Sequence, residues 1–219
     1  MKKNLTEIVF ILDCSGSMAG LEGDTIGGFN AMINKQKKAK GEALISTVLF
    51  NNVSRVLHDR LDLKDIRPLT EADYTVGGCT ALVDAIGLSI RHIGNIHKYA
   101  RPEDVPQHTI FVITTDGMEN ASHYYNINQV RQIIERQKQR YNWEFLFLGA
   151  NIDALETAKS FGINEDRAAN YNCDSEGTAL NYEVLSDAIS SLRSNAPLRN
   201  KWKSRIDEDF KNRRPDNKK

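Results

Sequence analysis

Apolar residues in this chain gather in short continuous runs, separated by longer stretches whose apolar positions recur every three or four residues. The run "EIVFILD" (7–13) is almost wholly apolar, the pattern of a strand buried on both faces. "ALISTVLF" (43–50), "HTIFVITTDG" (108–117) and "WEFLFLGA" (143–150) repeat that pattern, and "AANYNC" (168–173) predicts a short last strand. "VSRVLHDRL" (53–61) instead alternates, behind a tight "NN" turn, and predicts the antiparallel edge member of a hairpin. Helical spacing runs through 24–39, with Asp24 as N-cap, through 80–100, 127–140 and 176–192, and through a short 152–162 helix with Gly162 as C-cap. "RNKWKSRIDEDF" adds a further helical segment. Strands alternating with helices predict an α/β fold: a doubly wound, mainly parallel central sheet of about six strands with helices on both faces. With no internal repeat and no low-complexity linker, the expectation is one domain over 1–195 and a basic helix or tail over 196–219.

Lys plus Arg and Asp plus Glu each number 29 in 219 residues, so there is no global charge to steer nucleic acid. The charge is uneven, however: residues 196–219 hold nine Lys/Arg and four Asp/Glu, net +5, which leaves the body at −5. That end reads either as a solvated terminus or as a contact for acidic partners. Trp202, among Lys201, Lys203 and Arg205, either stacks a base or anchors a C-terminal helix. No run approaches the ~18 apolar residues of a membrane span. "MKKNLTEIVFIL" reads as a first strand, not a leader, because its apolar stretch is short and meets Asp13. Three widely spaced cysteines argue against a disulfide framework or a zinc site, and a cytoplasmic location is expected.

In such a sheet, sites form beyond the carboxyl ends of the strands. Three segments predicted there carry polar residues: Asp13-Cys14-Ser15-Gly16-Ser17, "GGCT" ending in Thr80, and "TTDG" with Asp116. Two carboxylates and three hydroxyls are hard oxygen donors. They suit Mg²⁺ or Mn²⁺, with Ca²⁺ as the other hard cation, and not zinc or copper. Taken alone, "DCSGSM" is equally a helix-capping turn. Enzymatic readings fit poorly. An aspartyl phosphotransferase needs a second carboxylate two residues on, where Ser15 stands. There is no G-x-S-x-G elbow, and "GGCTALVDA" lacks the G-K-[ST] of a phosphate loop.

The three motifs in this order, "DCSGSM", "GGCTAL" and "ITTDG", resemble the von Willebrand factor A-type (VWA) domain and its metal-ion-dependent adhesion site (MIDAS). The likeness runs from about residue 5 to 193 and is closest to compact stand-alone bacterial or phage-like members. It implies that Ser15 and Ser17 bind the cation directly, Thr80 directly or through water, and Asp13 and Asp116 largely through water. It also implies a non-enzymatic, divalent-cation-dependent protein-binding module. The cation's open position would accept an Asp or Glu side chain of a partner protein, and nucleic acid, membrane and small-molecule substrates are not expected.

Other residues keep two readings. His92 and His97, five apart, do not share a helical face and are expected at or near the surface. His123 is either a rim residue or a plain loop residue. Asn151 and Asp153 either shape the rim or, for Asp153, cap the following helix. Cys14 and Cys79 flank proposed ligands, so they are either a redox gate or ordinary small thiols.

Overall fold

A computed structural model describes residues 1–213. Its centre is β1 (Lys2–Asp13), a strand that begins five residues before the apolar run, because Lys2 donates its N–H to Val105 O and Leu5–Glu7 pair with the next strand. The exposed Lys2–Asn4 stretch has no apolar pattern to reveal it. The other strands are β2 (Glu42–Phe50), β3 (Ser54–Asp62), β4 (Pro106–Thr115), β5 (Glu144–Gly149) and β6 (Ala168–Asn170). They form one six-stranded sheet in the order β3-β2-β1-β4-β5-β6, parallel throughout except for the β2–β3 hairpin at one edge.

The helices are α1 (Glu22–Lys38), α2 (Leu82–Tyr99), α3 (Ile127–Tyr141), α4 (Ala154–Ser160), α5 (Ser175–Arg193) and α6 (Ser204–Arg213). Strand alternation divides the core between two faces. Ile8, Phe10 and Leu12 pack with Phe29 of α1, Leu185 and Ile189 of α5 and Ile206 of α6. Val9 and Ile11 pack on the other side with Ile86 of α2, Ile134 of α3 and Ala158 of α4. The expected three-layer architecture is therefore present.

Asp24 does not cap α1. The helix starts at Glu22 with Leu21 in the cap position, and Asp24 Oδ2 instead accepts a hydrogen bond from Ser175 Oγ at 2.6 Å. This ties the starts of α1 and α5 together. Lower down, α1 approaches α5 so closely that a Cβ on Gly28 would lie 2.3 Å from Tyr182 Cδ2. Gly28→Ala should therefore lower stability by about 1–3 kcal/mol through overpacking, read as a reduced melting temperature.

The C-terminal segment through Arg213 lies against the body. Trp202 Nε1–H donates to Asp166 O at 2.7 Å, which makes it an anchor and not a free stacking surface. Lys203 Nζ donates to Glu165 O, Arg205 pairs bidentately with Glu183, and Arg213 spans Asp174 and Asp209. Much of the segment's positive charge is thus engaged internally; the end of the basic tail, residues 214–219, lies outside the described residues. Among the described residues, no helix is long and apolar enough to cross a membrane.

Candidate metal centre

Strand order reverses between β1 and β4, which opens a crevice at their carboxyl ends. Asp13 closes β1 and Asp116 follows β4, so the two carboxylates face each other across that crevice. Asp13 Oδ1 accepts the Ser15 N–H at 2.8 Å and Oδ2 accepts Thr115 Oγ1–H at 2.6 Å. Ser17 Oγ–H donates to Asp116 Oδ1 at 2.6 Å, and the Ser15 and Ser17 hydroxyls lie 3.1 Å apart. Thr80 enters from the segment before α2. A Cβ on Gly117 would come within 3.3 Å of Thr80 Oγ1 and 3.4 Å of Ser17 Oγ, so these two hydroxyls converge over a space that a side chain at 117 would fill. All five candidate residues therefore meet. Asp13, Ser15, Thr80 and Asp116 are at most 4% exposed, while Ser17 is open to solvent.

Backbone bonds join the loops. Gly16 N–H donates to Gly78 O at 3.0 Å, and Gly77 N–H donates to Cys14 O at 2.9 Å. Gly78 has φ +79, and a Cβ there would meet Asn52 Oδ1 at 2.0 Å, so only glycine fits. Asn52 Oδ1 accepts from Cys79 N and Asn51 Nδ2 donates to Gly77 O, fastening the Thr80 segment to the β2–β3 turn. On its other side Asn120 closes a two-way bridge: its Oδ1 accepts from Thr80 N at 2.8 Å and its N–H donates to Thr80 O at 3.0 Å. Tyr74 OH donates to Asp13 O beneath the cup.

Burial pushes the Asp13 carboxyl above its ordinary range, against the pull of the Ser15 and Thr115 hydrogen bonds. Asp116 is raised too, first by burial and then by the neighbouring Asp13 charge, with Ser17 opposing. The hydrogen-bond partners of both carboxylates are hydroxyls, a backbone amide and one thiol, and neither forms an ion pair among the described residues. Two facing, desolvated anions without a counter-cation fit a bound cation. Among the described residues no set of three or more His, Cys, Asp or Glu side chains is gathered as for zinc.

Thr115, Asn51, Asn52, Asn120 and Cys173 were not anticipated. Thr115 was traceable in principle, since "TTDG" carries it and the β1–β4 register, with Leu12 opposite Thr114, sets it beside Asp13. The asparagines act through loop geometry that leaves no periodic mark. Cys173 Sγ lies 3.8 Å from Asp116 Oδ2, and burial pushes its thiol up to about 11. Cys14 is buried, donates to Phe50 O at 3.3 Å and is likewise raised to about 11, so it is poorly suited to a redox gate; Cys79 is exposed. Asp153 caps α4, accepting from Glu156 N at 3.0 Å. His123 is exposed, with its backbone N–H held by Asp84. His92 is exposed and pairs with Asp59, whereas His97 turns inward to Glu7.

No protein-family model and no curated protein sequence matches the chain. Solved structures do. A von Willebrand factor type A protein from Catenulispora acidiphila aligns at 15% identity and TM-score 0.56, over 85% of this chain and 42% of that one. Proximal thread matrix protein 1 of the mussel byssus, in a form with a zinc-occupied MIDAS motif, aligns at 12% identity and TM-score 0.57, over 84% and 46%. Manganese-loaded TRAP protein of Plasmodium vivax aligns at 17% identity and TM-score 0.52, over 82% and 73%. The chain spans less than half the length of the first two. With its six-stranded sheet, one antiparallel edge and helices on both faces, this chain has the fold of a von Willebrand factor A-type domain.

Proposed function

We propose that this protein is a divalent-cation-dependent protein-binding module, not an enzyme, whose MIDAS-type site comprises Asp13, Ser15, Ser17, Thr80 and Asp116. The observation that carries the reading is the meeting of two buried carboxylates, without a counter-cation among the described residues, with three hydroxyls at one crevice. Ser15, Ser17 and Thr80 would contribute neutral oxygens. Asp13 and Asp116, each already accepting a hydroxyl hydrogen bond, would orient the set. Bound Mg²⁺ or Mn²⁺ would supply a Lewis-acidic position that takes a carboxylate. Neutral hydroxyl donors leave much of the dication's charge uncompensated, which favours an anionic guest from outside. The guest would be an Asp or Glu side chain of another protein. The zinc-occupied MIDAS motif and the manganese-loaded protein among the structural neighbours support a divalent cation in this fold. The free cysteines agree with a reducing, cytoplasmic setting.

Calorimetric titration of the full chain with MgCl₂ or MnCl₂ tests this. Thr80→Val keeps the side-chain shape, removes Oγ1 and should weaken cation affinity about tenfold or more. An Asp-bearing peptide should bind only when the cation is present, and its Asn counterpart should not. Undiminished affinity in Thr80→Val, or no cation uptake at millimolar concentration, would overturn the assignment.

A further inference from the structure

Two neighbouring helices carry a charge that the chain total conceals. Beyond the first turn of α2 (85–99) and along α3 (127–141) stand six Lys or Arg and one acidic residue, Glu135, a net +5 in a chain whose charges cancel. Glu135 is taken by Arg131 of its own helix at 2.9 Å, and Lys138 turns to Gly162 O at 2.8 Å. Arg91, Lys98, Arg136 and Arg140 are exposed, and none of them meets a carboxylate among the described residues.

The fold brings these four to one seam. Both helices begin at the crevice end of the sheet and run side by side to its other end. They meet at Gly94, where a Cβ would lie 3.4 Å from Gln137 Nε2. Arg91 and Lys98 stand three residues before and four after Gly94, on one stripe of α2, about 10 Å apart along its axis. Arg136 and Arg140 stand one residue before and three after Gln137, turned from the side of α3 that buries Val130 and Ile134. The four cations therefore line the outer lips of the seam, in the half of each helix away from the crevice. Helix-end electrostatics account for Lys98 and Arg140, which lie in the last turns. They do not account for Arg91 and Arg136. Like charges held across a seam repel one another and stabilise nothing in the free protein, whereas Arg131 and Glu135 show the usual i,i+4 pairing.

We infer that the α2–α3 seam is a second docking surface, for a short acidic segment of a partner protein. Three of the four cations are guanidinium groups, which match carboxylates through paired N–H donors. The patch also has margins. Asp59 stands beside His92 on one side, Glu135 on the other, and Glu103 and Asp104 with Arg101 beyond the end of α2. A continuous polyanion such as nucleic acid would run onto those carboxylates. The Tyr99 ring on which a base would stack is already covered by Lys98 Nζ, 5.0 Å from its centroid. An acidic segment a few residues long fits within the margins. This surface uses no residue of the crevice and needs no cation, so it stands independently of the cation-dependent reading.

Fluorescence anisotropy of a labelled octaglutamate peptide with the full chain tests this, in chelator so that the crevice takes no part. The peptide should bind, an octaglutamine peptide should not, and affinity should fall as salt is added. Arg136→Glu and Arg140→Glu should each weaken binding about tenfold. Lys38→Glu, at an exposed position of α1 in the opposite layer, should leave it unchanged. All three are exposed helix positions, and unchanged melting curves verify that the fold is kept. Amide NMR shifts caused by the peptide should centre on residues 91–98 and 136–140. No binding at millimolar peptide, wild-type affinity in both α3 variants, or shifts centred elsewhere overturn the docking surface. Tighter binding of an eight-nucleotide single strand by the same residues would make nucleic acid the occupant and overturn the acidic-segment assignment.

Discussion

Asp13→Asn should abolish stabilisation by Mg²⁺ while leaving the metal-free protein at least as stable as the wild type at neutral pH. Asparagine keeps both local contacts, since its Oδ1 can still accept from Ser15 N and its Nδ2 can donate to a rotated Thr115 hydroxyl. What it removes is a desolvated charge. A carboxyl whose folded pKa is raised above its unfolded value binds extra protons in the native state. It therefore opposes folding increasingly as pH rises from the ordinary value of 3.8 through the raised native one. The metal-free wild type should lose stability across that window, and Asp13→Asn should show a shallower loss, with Asp116 supplying the remainder. A saturating cation reverses the balance. At a hundredfold excess over Kd, mass action contributes about 2.7 kcal/mol, or ~5–11 °C in Tm for a domain of this size. Thermal melts of both proteins, with chelator and with Mg²⁺, separate the two effects. A variant that gains as much from Mg²⁺ as the wild type would remove Asp13 from the cation site.

Arg60→Met should be the most damaging of the substitutions away from the crevice. Glu7, on β1, is fully buried and held by Arg60 Nε at 2.6 Å and by His97 Nε2 at 2.5 Å. His97 in turn stands edge-on to Trp143, with centroids 5.4 Å apart. Arg60 reaches Glu7 from the edge strand, where its φ of +51 and the shifted β2–β3 register turn the side chain over the sheet. Removing the guanidinium leaves a carboxyl that water cannot reach with His97 as its one remaining side-chain partner among the described residues. The cost is about 3 kcal/mol, at the low end for a broken buried pair because the Arg60 side chain retains some exposure, or ~6–12 °C in Tm. Adding Glu7→Leu should restore most of the loss, since the buried carboxyl that lacked its guanidinium is then gone. Chemical denaturation of the two single variants and the double variant completes the cycle. Wild-type stability in Arg60→Met would show the pair to be dispensable.

These two carboxylates mark the boundary of what the chain discloses by itself. Asp13 was legible because it interrupts an apolar run at a strand end, and its companions recur at other predicted strand ends. Glu7 carries no such signal, because one acidic residue at the start of an apolar run resembles a strand margin. Only the sheet places β1 in the middle, so that the residue is covered by α2 and hydrogen-bonded from β3 and α2.

The continuous apolar runs, the alternating edge strand and the helical spacing determined the layers, the parallel sheet and its antiparallel margin, because burial on two faces, on one face or along a stripe each imposes its own period. They also determined which side chains stand at the strand ends. Tertiary structure alone decided that α1 begins two residues before Asp24, that β1 reaches back to Lys2, and that asparagines at 51, 52 and 120 fasten the Thr80 segment. Those features arise from contacts between residues far apart in the chain, made where loops meet, and such contacts leave no local period to read.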